Sequence, residues 1–236
     1  IFFKIIYKIK FIWKFIMHFT VKNLLKINEN VKINVSNENK KLEYPKIIAV
    51  SKTFKIDQII HLINFGHLHY GENKVQEAVE KWSEIKTEKK NIKLHLIGRL
   101  QTNKVKMAIK IFDYIHSLDN RKLADKISLH QKENNLDRKI FIQVNIGNED
   151  QKSGIPENEL YDFYQYCKSI KLNILGLMCI PPFNENSTEY FIRMNDLNKK
   201  IGLTELSMGM SSDYINAVKY GSTFVRIGSD IFGPRY

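Results

Sequence analysis

The chain has 236 residues, a formal net charge of +12, 43% hydrophobic residues and a pI near 9.5. That length suits one large barrel or two small domains, and the hydrophobic content is ordinary for a soluble globular protein. Cys167 and Cys179 have no CxxC or zinc-like spacing, which excludes a zinc motif and fits buried free thiols in a reduced, cytoplasmic compartment.

A basic balance invites nucleic acid or anionic lipid as partner. Here the lysines are scattered, with no interleaved aromatic stripe outside residues 1–16 and no nucleic-acid-binding motif. Lys, Asn and Ile are all abundant, the trio that AT-rich codons encode, so genome composition accounts for most of the charge. Residues 1–16 are apolar apart from Lys4, Lys8, Lys10 and Lys14, which fall on one face of a helix. These lysines break the run too often for a membrane span of ~20 apolar residues. The chain opens on Ile1, and Met17 follows. Residues 1–16 are therefore read as non-native upstream sequence, with a targeting or interfacial segment as the alternative. Without them the charge falls from +12 to +8, since four lysines leave and no acid does. No nucleic-acid partner is expected, and no membrane contact unless residues 1–16 belong to the protein.

Residues 17–45 read as an N-terminal helix and link. Val21, Leu24, Leu25, Ile27, Val31 and Ile33 supply the apolar face, and the polar stretch Ser36 to Lys41 follows. From Lys46 to Tyr236, strand-like and helix-like runs alternate. Strands are expected at Lys46–Ser51, Leu68–Gly71, Leu94–Ile97, Tyr114–Ser117, Lys139–Asn145, Asn173–Ile180, Glu205–Met208 and Thr223–Ile227. Helices are expected at Ile56–Phe65, Lys74–Ile85, Asn103–Phe112, Arg121–Glu133, Glu157–Ser169, Ser187–Lys200 and Ser211–Tyr220. Gly66 stops the first of these, Asp119 is the expected cap before Arg121, and Pro156 stands at a helix start. Eight strands with seven intervening helices give an α/β fold, a single (β/α)8 TIM-like barrel with an N-terminal helix. That helix would take the place of the missing eighth one. A doubly wound sheet would show a glycine-rich first turn, and Ser51-Lys52-Thr53-Phe54-Lys55 has no glycine.

A barrel carries its site at the C-terminal strand ends. Lys52 ends the first strand, where apolar walls would lower its pKa and make the amine a nucleophile toward aldehydes, forming a Schiff base. Gly209-Met210-Ser211 and Gly228-Ser229 follow strands seven and eight, the usual place for a phosphate. Ser211 is alternatively a simple helix cap. Arg226 ends the last strand and points to the mouth if the alternation holds. An aldehyde-seeking lysine, a phosphate cup and a cation between them are what pyridoxal 5′-phosphate needs.

Five ordered segments carry a resemblance: Ala49-Val50-Ser51-Lys52; Tyr70 through Glu77; His95 through Lys104; Ser207 through Ser211; and Val225 through Gly233. Together they closely resemble the pyridoxal phosphate homeostasis protein family. The resemblance implies a barrel similar to the N-terminal domain of alanine racemase. It matches Lys52 to the Schiff-base lysine and Ser211, Gly228 and Ser229 to the phosphate cup. Arg226 matches the arginine near the pyridine nitrogen, and Asn73 a residue lining the cofactor. It also implies binding and delivery of the cofactor to apoenzymes, within vitamin B6 and amino-acid metabolism, rather than turnover. The sequence departs from the family pattern mainly between Pro182 and Leu203.

An arginine beside the pyridine nitrogen disfavours its protonation and makes the ring a poorer electron sink. A racemase also needs a second base, supplied in similar racemases by a C-terminal domain for which the segment after Phe232 has no room. A carrier with no catalytic residue is therefore expected, as a monomer or weak dimer, with a low-activity amino-acid racemase as the alternative. No metal site is expected: His67-x-His69 lacks a third ligand nearby and reads as structural. Cys179 reads as an inert buried thiol, and those of the aromatics Tyr161, Phe163, Tyr164 and Tyr166 that lie at helical spacing read as core packing.

Overall fold

A computed structural model describes residues 17–35 and 44–234 of the chain. The readings for residues 1–16 and for the link at 36–41 lie outside them. After helix α1 (Phe19–Asn34), strand and helix alternate. The order is β1 (Lys46–Val50), α2 (Ile56–Phe65), β2 (His69–Glu72), α3 (Val75–Glu88), β3 (Lys93–Leu96), α4 (Val105–Ile111), β4 (Tyr114–Leu118) and α5 (Arg121–Asn134). Then come β5 (Lys139–Gln143), α6 (Leu160–Ser169), β6 (Ile174–Met178), α7 (Ser187–Lys200), β7 (Glu205–Met210), α8 (Tyr214–Lys219), β8 (Phe224–Ile227) and α9 (Ser229–Phe232). The strands pair in sequence order, and β8 pairs in parallel with β1, Ala49 opposite Ile227, to close the barrel. The expected (β/α)8 architecture holds.

Parallel barrel strands are buried on both faces, which is why they read as nearly unbroken apolar runs. Inward-facing Ile48, Tyr114, Phe141, Met178 and Phe224 form one buried cluster. Their neighbours Ile47, Ala49, Ile115 and Ile140 face outward and join the helices in a second, larger core. Successive residues alternate between the two cores, so a side chain's parity decides whether it enters the barrel.

Helix α1 buries Val21, Leu24, Ile27 and Val31 and docks against α2, α8 and α9. Asn30 Nδ2 donates to the Tyr214 hydroxyl at 3.0 Å, and Asn23 Nδ2 to the Ile231 carbonyl at 3.1 Å. It thus covers the stretch of barrel wall where the eighth helix would lie, with the one-turn α9 beside it. A final helix was not expected from the sequence; α9 is too short to leave a periodic apolar signal.

One expected helix cap and one expected helix start are corrected. Asn120, not Asp119, caps α5: its Oδ1 accepts from the Leu123 amide at 2.9 Å. The helix after β7 begins at Tyr214, not Ser211. Asp213 is responsible, because its Oδ1 accepts from the Met210 amide at 2.7 Å while its own amide donates to the Met210 carbonyl at 3.0 Å. That turn delays the helix and leaves Ser211 outside it, so Ser211 is not a helix cap. The segment that departs from the family pattern contains a regular helix, α7, capped by Asn186.

Candidate functional site

Six residues were expected at the mouth, and all six lie at the C-terminal ends of β1, β2, β7 and β8. Those strands are far apart in sequence but consecutive around the barrel, because β8 pairs with β1. Lys52 follows β1, two residues beyond Val50. Asn73 follows β2. Ser211 follows β7, and Gly228 and Ser229 follow β8.

The Lys52 loop is held from outside the barrel. Lys81 on α3 donates to the Ser51 carbonyl at 2.9 Å, to Glu72 Oε1 at 3.0 Å and to Glu77 Oε1 at 3.1 Å. Glu77 Oε1 also accepts from the Thr53 amide at 2.8 Å. Burial pushes the Glu77 carboxyl up, but the Thr53 amide and the Lys81 ammonium outweigh it and leave its pKa lowered. The backbone on both sides of Lys52 is therefore pinned to α3. Glu72 is fully buried and gathers Ser51 Oγ at 2.7 Å and Trp82 Nε1 at 3.0 Å on the same oxygen as Lys81.

Asn73 sits against Gly98, where an added Cβ would lie 2.4 Å from the Asn73 carbonyl oxygen. Only a residue without a side chain allows that approach. On the far side, Gly209 has φ +91°, and a Cβ there would come within 2.5 Å of the Ala217 Cβ. Gly209→Ala should therefore lower stability by about 2–3 kcal/mol, the sum of left-handed strain and overpacking. Urea unfolding would check this; a change below about 0.5 kcal/mol, the usual size of a neutral substitution, would contradict it.

Arg226 is 4% exposed. Its Nη1 donates to the Ser207 carbonyl at 2.7 Å and to Ser207 Oγ at 2.8 Å, and its Nη2 to the Cys179 carbonyl at 2.9 Å. Burial lowers the guanidinium's pKa, an effect that Cys179 and Asp213 oppose. Among the described residues no carboxylate lies within ion-pair distance of it.

Sequence reasoning missed the bracket of Ser51, Glu72, Glu77 and Lys81, and the role of Ser207. Glu72, the last residue of β2, turns outward to Lys81 and Trp82 on α3. The His67-x-His69 pair divides its work: His67 Nε2 donates to the His69 carbonyl at 2.9 Å, and His69 Nδ1 meets His95 Nε2 at 2.9 Å. Among the described residues no group of three or more metal-ligating side chains gathers. Cys179 is buried and its thiol pKa pushed up to about 12, so the inert reading fits. Of the α6 aromatics, Phe163 is buried, Tyr164 and Tyr166 pack on the core, and Tyr161 is 59% exposed, so core packing does not extend to Tyr161.

Residues 28–236 match the family described as alanine racemase, N-terminal domain. The pyridoxal phosphate homeostasis protein of Aquifex aeolicus (strain VF5) is 38% identical over 200 residues, covering 80% of this chain and 87% of that protein. PipY of Synechococcus elongatus PCC7942, solved with pyridoxal phosphate bound, superposes with a TM-score of 0.79 at 30% identity, covering 91% of this chain and 100% of that one. Alanine racemase of Clostridium difficile 630 shares the fold, with a TM-score of 0.68 at 14% identity over 92% of this chain and 57% of its own. With its barrel and its five ordered segments, the chain belongs to the pyridoxal phosphate homeostasis protein family.

Proposed function

We propose that this chain binds pyridoxal 5′-phosphate at the barrel mouth and contributes to vitamin B6 homeostasis without turning over a substrate. The observation that carries this reading is the convergence of Lys52, Asn73, Arg226, Ser211, Gly228 and Ser229 on four adjoining strand ends. The residues fit the group. Arg226 is a buried cation bonded only to neutral oxygens, so it suits a neutral ring nitrogen that accepts a hydrogen bond. Gly209 and Gly228 present backbone without side chains, and the Ser211 and Ser229 hydroxyls can donate to phosphate oxygens. Bound there, the cofactor supplies an aldehyde that condenses with a primary amine and releases water. Lys52 is the tether, Asn73 lines the ring, and Arg226 keeps the ring nitrogen unprotonated. That last role weakens carbanion chemistry and favours carriage over racemisation. The recipients in this reading are apoenzymes that use the same cofactor, met by a monomer or weak dimer in the cytoplasm. Both free cysteines are buried, as a reducing compartment permits, and among the described residues no helix is long and apolar enough to cross a membrane.

The full chain, incubated with the cofactor and desalted, should retain visible absorbance that borohydride bleaches. Peptide mass mapping should then find the reduced adduct on Lys52, and Lys52→Ala should lose it entirely. A colourless protein, or an adduct on another lysine, overturns the assignment. Racemisation of alanine by the loaded protein overturns the absence of turnover.

A further inference from the structure

The barrel interior holds a feature that cofactor binding does not by itself require. His69 of β2, His95 of β3, His116 of β4 and Ser207 of β7 all point inward. His69 Nδ1 meets His95 Nε2 at 2.9 Å, His95 Nδ1 meets His116 Nε2 at 2.9 Å, and His116 Nδ1 meets Ser207 Oγ at 2.9 Å. Ser207 Oγ in turn receives Arg226 Nη1 at 2.8 Å. The row begins at the first residue of β2, on the floor of the barrel, where His69 is half-buried. It ends under the mouth. His95, His116 and Ser207 are wholly buried.

We propose that Ser207, His116, His95 and His69 form a one-directional hydrogen-bond chain that positions Arg226 for its ligand. The proposal rests on the cofactor reading above for the identity of that ligand. Direction follows from donor chemistry. A guanidinium only donates, so Ser207 Oγ accepts from Arg226. The Ser207 hydroxyl hydrogen then goes to His116 Nδ1, the remaining partner of that oxygen among the described residues. His116 must therefore carry its proton on Nε2 and donate to His95 Nδ1. The same step repeats: His95 carries Nε2–H and donates to His69 Nδ1, and His69 carries Nε2–H toward the floor. The reverse order would place two donors on Ser207 Oγ and leave its own hydrogen buried without an acceptor. One cation thus sets the tautomer of three rings.

Stacking fixes the ring planes along this line. His95 lies on Tyr114 at 4.2 Å and 15°, and His116 on Phe141 at 4.4 Å and 15°. Bonds aligned donor to acceptor polarise one another, which strengthens Ser207 Oγ as the acceptor that holds Nη1. The bonds to Ser207 and Cys179 use three of the five guanidinium N–H groups. Ser207 and the three histidines are positioning residues, acting on the ligand through Arg226.

The test combines ring NMR on the full, cofactor-free chain with binding measurements. Histidine labelling should report neutral Nε2–H tautomers for His69, His95 and His116 at pH 7. Ser207→Ala should leave the barrel folded, remove the Nε2–H bias at His116 and weaken pyridoxal 5′-phosphate binding about tenfold, the size of one charge-assisted hydrogen bond. His116→Phe should weaken binding equally, while His116→Gln, which can accept and donate, should restore it to within about threefold. An Nδ1–H tautomer at His116, or wild-type affinity in both Ser207→Ala and His116→Phe, overturns the proposal. Wild-type protein with the stated tautomers but no retained cofactor overturns the function proposed above and leaves the direction of the chain standing.

Discussion

Lowering the pH from 7 to 4 should remove most of this protein's stability. Burial holds His67 and His69 near pKa 4, against an ordinary value of 6.5. For His69 the neighbours His67, Lys46 and Lys93 push the same way, and Asp113 opposes them. His95 and His116 are held well below 6.5, by burial first and then by facing charges, His116 and His69 for the one and Arg226 and His69 for the other. The sign is set by comparing states. Between pH 6.5 and 4 the unfolded chain takes up protons that the folded rings refuse, so unfolding becomes easier as pH falls. The contribution is complete above 6.5 and gone once the folded rings also protonate. For His67 and His69 the gap corresponds to at most about 3 kcal/mol each. A typical domain has only about 5–15 kcal/mol in all. Urea unfolding at a series of pH values should show a loss of about 5 kcal/mol or more between pH 7 and 4, with uptake of more than one proton on unfolding. His69→Gln should reduce that uptake by up to one proton. Stability that stays flat from pH 7 to 4.5 would contradict the buried neutral state of these rings.

The barrel and the placing of the six residues at strand ends were legible because their signals are local. A strand buried on both faces is an unbroken apolar run, and the residue after it marks the mouth whatever the neighbours are. The misread cap and the misread helix start were also local, but they turned on competition between nearby residues. Asn120 won the cap from Asp119, and Asp213 folded back on Met210 before the helix could begin at Ser211. What could not be read was the set of contacts that parity and closure create. Ser51, Glu72 and Lys81 meet on the outside of β1 and β2, and Ser207 meets His116 across the barrel from 91 positions away. The inward parity of His69, His95 and His116 was available in the sequence. Their mutual register was not, because it depends on how far each strand is staggered against the next.

Glu72→Ala should be among the most damaging single substitutions in the chain, at about 3–5 kcal/mol. The carboxylate has no exposure, and its Oε1 accepts from Ser51 Oγ, Lys81 Nζ and Trp82 Nε1. Removing it strands a largely buried ammonium on Glu77 and the Ser51 carbonyl, and it leaves the Trp82 N–H without its acceptor. Glu72→Gln keeps one oxygen for these donors and loses the charge, so it should fall well short of the alanine variant. The same change should reach the cofactor site proposed around Lys52, because Lys81 and Glu77 hold the backbone on either side of that residue. A second substitution separates the two consequences. Lys81→Met in the Glu72→Ala background removes the stranded charge and should recover about 1–3 kcal/mol in urea unfolding, as a coupled pair does. It cannot restore the tie to the Ser51 carbonyl, so formation of the Lys52 adduct should stay slow in the double variant. If stability and adduct formation recovered together, the bracket would act on Lys52 only through global stability, and its role in holding the loop would be lost. If Glu72→Ala changed stability by less than about 1 kcal/mol, the value of an exposed pair, the carboxylate would not be buried in the ion pair seen here.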